Sequence, residues 1–155
     1  MASILIVGYG NRLRSDDGLG VRAAEELSKS GPAAGTEILV RHQLTPELAE
    51  TISHVELVLF LDASRVGKPG EIRCTQVNLQ PPEFLLAHQL TPETLLSLCC
   101  ELYGRCPQAF KISLCGECFD LGDNLSAKAA AALPHLVEFV KNFCPRPAEI
   151  VHTPS

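Results

Sequence analysis

Tryptophan is absent from these 155 residues, and aromatic side chains make up only 5% of them. The core must rest on Leu, Val, Ile and Ala, and a hydrophobic content of 46% is enough for a substantial one. No block of Lys and Arg occurs, and the formal net charge is −5. Binding to a phosphate backbone depends on clustered cations, so no nucleic-acid partner is expected. No apolar run approaches the roughly 20 residues needed to span a bilayer, and no membrane partner is expected either. The opening residues lack the basic n-region and small-residue cleavage site of a secretory signal. The common hydrolase motifs G-x-S-x-G and H-E-x-x-H are also missing.

Cysteine is not scarce, but its pattern excludes a framework. Cys74, Cys99, Cys100, Cys106, Cys115, Cys118 and Cys144 are odd in number, and two are adjacent. The expectation is a reducing cytoplasm and free thiols. Cys115-Gly116-Glu117-Cys118 is a C-x-x-C without a second pair at zinc-ribbon spacing. Gly122-Asp123 separates it from the helix a thioredoxin-type site would need, so it reads as two incidental thiols.

The length fits one domain, expected over 1–144, with a mobile tail over 145–155. Residues 3–8 form an apolar run without alternation, the mark of a buried parallel strand. A helix is expected from Asp17 to about Lys29, capped by Ser15 or Asp16. Strands are expected over 37–41, 55–61, 71–77 and 110–114. Helices are expected after Thr45-Pro46 and Thr91-Pro92, with a closing helix from Ser126 that Pro134 should kink or divide. Strands alternating with helices predict a three-layer α/β/α sandwich around a mostly parallel sheet of about five strands.

Three segments could carry chemistry. Gly8-Tyr9-Gly10 opens like a dinucleotide fingerprint, but Leu13 stands where the third glycine belongs. Asp16 and Asp17 then follow where a pyrophosphate would want bare amides. Adjacent helical positions point in different directions, so one of the two acids can cap the helix while the other faces the sheet edge. Asp62 ends the run Leu57 to Leu61, at the strand edge where ligands bind in open α/β sheets. His42-Gln43-Leu44-Thr45-Pro46-Glu47 recurs as His88 to Glu93, placing a histidine before each of two helix starts. Two carboxylates and an imidazole would suit Ni, Zn, Mn or Fe with open positions.

Gly8-Tyr9-Gly10-Asn11, Leu13 and Asp16 to Val21 resemble the N-terminal signature of the [NiFe] hydrogenase maturation endopeptidases. The strand ending in Asp62-Ala63 and the segment His88-Gln89-Leu90 resemble that family's second and third signatures, in the same order and spacing. The resemblance implies an aspartyl-type endopeptidase of α/β/α fold that removes a C-terminal extension from a hydrogenase large-subunit precursor. It implies a metal site at Asp17, Asp62 and His88, which are also the residues expected to act in catalysis through the metal. It further implies recognition of nickel already loaded in the substrate; zinc or a similar ion could occupy the site in isolation. Many members carry Asp-Gly-Gly-Thr after the second strand. Here Val40 to Glu47 replaces it and resembles the variant of members serving bidirectional NAD-linked hydrogenases. Two alternatives stand beside this reading. One is a peptidyl-tRNA hydrolase-like enzyme, which shares a Gly-x-Gly-Asn strand end but continues differently. The other is a metal carrier or assembly scaffold that cuts nothing.

Overall fold

The structure, a computed structural model, describes residues 3–80 and 90–143. Its strands are β1 (Ile4–Tyr9), β2 (Thr36–Arg41), β3 (Leu57–Ser64), β4 (Ile72–Gln76) and β5 (Gln108–Cys115). The helices are α1 (Leu19–Lys29), α2 (Leu48–Ser53), α3 (Pro92–Tyr103) and α4 (Ala127–Asn142), with a 3₁₀ turn over Ser15–Gly18. The sheet order is β2-β1-β3-β5-β4; β4 runs antiparallel to β5 at one edge, and every other pairing is parallel. This is the expected α/β/α sandwich.

Alternate residues along a strand face opposite sides, and both sides of this sheet are covered. Ile6, Leu57, Leu59, Leu61, Phe110 and Ile112 pack under α1 and α4. Leu5, Val7, Val58, Phe60 and Ala109 pack under α2 and α3. Fully covered parallel strands therefore read as unbroken apolar runs.

The chain passes from β1 through α1 to β2 on one side, then through α2 to β3 on the other. Neighbouring strands whose connections diverge in this way leave a crevice beyond their carboxyl ends. The crevice here lies beyond β1 and β3. Its floor depends on close backbone packing. A Cβ on Gly8 would lie 2.3 Å from the Gly20 carbonyl oxygen, and one on Gly20 would lie 2.2 Å from that of Leu61. Glycine at both positions lets the start of α1 sit directly on β1 and β3.

Several local expectations change. Helix α1 begins at Leu19, with Gly18 as N-cap and no side-chain cap. Ser15 and Asp16 are occupied elsewhere, as described below. The two Thr-Pro-Glu copies also differ. Thr91 caps α3 in a reciprocal pair with Thr94, whereas α2 starts only at Leu48, after a turn closed by the Thr45 carbonyl. Helix α4 runs through Pro134 without dividing. Leu133, Leu136, Val137 and Val140 on either side of the proline all pack on the same core and keep both halves in one helix. Cys100 and Cys106 form a disulfide, with Cα atoms 5.0 Å apart. Gly104 ends α3 in the left-handed conformation (φ 68°) and turns the chain back toward Cys100. Cys74, Cys99, Cys115 and Cys118 are free thiols. Among the described residues, no helix is long and apolar enough to cross a membrane.

Candidate functional site

On the α2/α3 side, three strands change character at their carboxyl ends. The buried row Leu5, Val7 along β1 ends in Tyr9, and Val58, Phe60 along β3 ends in Asp62. In β5, Ala109 is followed by Lys111 and Ser113. The register pairs Asp62 with Ser113 and Leu61 with Gly8, so Tyr9, Asp62 and Ser113 stand side by side across the sheet. The strand sequence thus builds a polar end onto an apolar face.

Asp62 is held from both sides. The Tyr9 hydroxyl donates to Asp62 Oδ2 across 2.7 Å, and the Ser113 hydroxyl donates to Oδ1 across 2.5 Å. Burial pushes the Asp62 carboxyl above the usual carboxylate range, against the pull of these two hydroxyls and the more distant Lys111. Burial and the Asp62 charge push the Tyr9 hydroxyl upward too, so it remains a neutral donor. Among the described residues, no salt bridge engages Asp62 or Asp17.

Asp17 reaches the same place from the 3₁₀ turn. Its Oδ2 accepts the Asn11 backbone N–H at 2.7 Å, which closes the loop after β1. Gly10 makes room for this: at φ 143°, a Cβ there would lie 2.1 Å from the Asp17 carbonyl oxygen. Asp17, Asp62, Tyr9 and His42 line one cavity of about 190 Å³, with Gln43, Leu44 and Leu90 also on its wall. His42 comes from the loop after β2. His88 lies outside the described residues, although Leu90, two residues further on, borders this cavity.

Asp16 faces the other way and is fully buried. It accepts from the Glu117, Cys118 and Ser126 backbone amides at 2.7, 3.0 and 2.8 Å, and from the Ser126 hydroxyl at 2.7 Å. Burial raises its carboxyl, but these donors outweigh that cost and hold it below the usual range. Ser15, at φ 53°, also reaches this loop: its N–H donates to the Gly122 carbonyl and its hydroxyl to that of Asp120. The C-x-x-C segment therefore supplies backbone amides that anchor the acidic turn.

Sequence reasoning paired Asp17 with Asp62 but missed Tyr9 and Ser113. Their signal was available: a hydroxyl at the carboxyl end of two strands whose preceding same-face positions are mostly apolar. Among the described residues, no three His, Cys, Asp or Glu side chains converge as a complete metal site. Two carboxyl groups on one wall remain a suitable partial shell for a borderline-hard cation that brings ligands of its own.

No family model matches the chain, and no curated protein matches it. Solved structures do. A [NiFe] hydrogenase maturation protease HycI from Thermococcus kodakarensis KOD1 superposes with a TM-score of 0.72 at 24% identity, covering 89% of each chain. The hydrogenase maturating endopeptidase HybD from E. coli gives 0.70 at 22% identity, covering 90% of each. The [NiFe] hydrogenase maturation protease HybD from Thermococcus kodakarensis gives 0.63 at 25% identity, over 91% of this chain and 97% of that one. The fold is that of the hydrogenase maturation proteases, the same family that the sequence signatures resemble.

Proposed function

We propose that this chain is an endopeptidase that removes the C-terminal extension of a [NiFe] hydrogenase large-subunit precursor after nickel insertion. One observation carries the reading: Asp17 and Asp62 line a single cavity at the β1/β3 crevice of a fold shared with maturation proteases.

In this reading the nickel belongs to the substrate. Asp17 and Asp62 form a carboxyl-lined wall without a salt-bridged cation among the described residues, and receive the metal-bearing end of the precursor. His88 supplies the third ligand, and the position of Leu90 on the cavity wall supports its candidacy. A metal held there can polarise a scissile carbonyl or lower the pKa of a bound water. The chain's own task is to position the extension against that centre, which is where a large part of such a rate gain arises.

The experiment is incubation of nickel-loaded precursor with wild type and with Asp17→Asn, Asp62→Asn and His88→Ala, followed by mass analysis. Wild type should shorten the precursor and the variants should not. Undiminished processing by all three variants removes these residues from the mechanism. Binding of the precursor by wild type without any change of mass favours a carrier.

A further inference from the structure

Tyr9 and Ser113 do more than satisfy a buried acid. An ionised carboxylate offers about four lone-pair positions. The two hydroxyls occupy one on each Asp62 oxygen, from opposite neighbouring strands. Both donors are neutral, so they fix the carboxylate plane and leave its charge uncancelled. Arg or Lys at either position would have fixed the plane and neutralised the charge. Tyr9 itself lines the cavity, whereas Ser113 is buried at 7% exposure.

We propose that Tyr9 and Ser113 are positioning residues that aim the remaining lone pairs of Asp62 at a divalent cation entering the cavity, whether free or carried by a substrate. Neighbours that hydrogen-bond a ligating group typically set about 10–100-fold in metal affinity or activity. The cleavage part of the test rests on the peptidase reading, while the cation-binding part does not.

The probe is Ni²⁺ alone, titrated calorimetrically into the full chain, with Asp62→Ala marking the binding that depends on this carboxylate. Tyr9→Phe and Ser113→Ala should each weaken Asp62-dependent binding by about tenfold. Ser113→Thr, which keeps the hydroxyl, should restore it. Thermal melts monitor folding; if Ser113→Ala does not fold, Tyr9→Phe carries the test. On nickel-loaded precursor, the same variants should lower kcat more than they change KM. Wild-type affinity in both Tyr9→Phe and Ser113→Ala overturns the proposal, as does a loss in Ser113→Thr equal to that in Ser113→Ala. Absence of Asp62-dependent Ni²⁺ binding in wild type also overturns it. Binding that follows the predicted order without cleavage supports the proposal and defeats the peptidase reading instead.

Discussion

Asp16 and Asp17 are adjacent in the chain and serve opposite sides of the same turn. Asp16 is buried under four hydrogen bonds from residues 117–126, while Asp17 accepts the Asn11 amide and lines the cavity with Asp62. One acid anchors the loop from behind, and the other is presented at its front.

Asp16→Asn places an amide NH₂ among donors and should cost about 2–4 kcal/mol at neutral pH. The Asp16 carboxyl is held below its ordinary value, so its stabilisation is present above the unfolded value of about 4 and is lost as pH falls through the folded one. Urea unfolding from pH 7 to pH 3 should show a falling wild-type stability, with this component missing in Asp16→Asn.

Asp62 has the opposite sign. Its carboxyl is raised by burial, so the folded state holds the proton more tightly than the unfolded state. Its contribution is most favourable below the unfolded value and is lost as pH rises through the folded one. Asp62→Asn should therefore unfold at higher urea than wild type at pH 7 while losing cleavage. A less stable variant at pH 7 contradicts this account of the site.

Gly8→Ala should cost about 1–3 kcal/mol through the clash with the Gly20 carbonyl, and Gly20→Ala a similar amount against Leu61. Gly104→Ala meets nothing within 4 Å and should cost only the left-handed backbone penalty of about 1 kcal/mol. Thermal melts of the three variants would rank them.

The two histidines of the repeated His-Gln-Leu segment should separate kinetically. His88→Ala should abolish turnover. His42→Ala, which alters the cavity wall, should raise KM with kcat largely kept. The reverse pattern would make His42 the third ligand.

Much of this arrangement was legible in the sequence. Buried parallel strands need unbroken apolar runs, and these marked β1 and β3; a carboxylate at a strand's carboxyl end then marked Asp62. What escaped depended on contacts between distant segments. Nothing local shows that the Asp16 carboxylate meets amides a hundred residues on, and it therefore read as a helix cap. The disulfide escaped because it depends on how Gly104 turns the chain after α3. The hydroxyl of Ser113 near a strand end was visible, but its pairing with Asp62 is fixed by strand register, which only the sheet order reveals. Pro134 does not divide α4, because the turns on both sides of it pack on one core.

The central claim is most directly tested by the mass of a [NiFe] hydrogenase large-subunit precursor incubated with the chain, once loaded with nickel and once nickel-free. A discrete loss at the C-terminus of the loaded precursor alone, absent with Asp62→Asn, is the predicted result. An unchanged mass for loaded precursor shown to bind the chain, or equal cleavage of the nickel-free form, would contradict it.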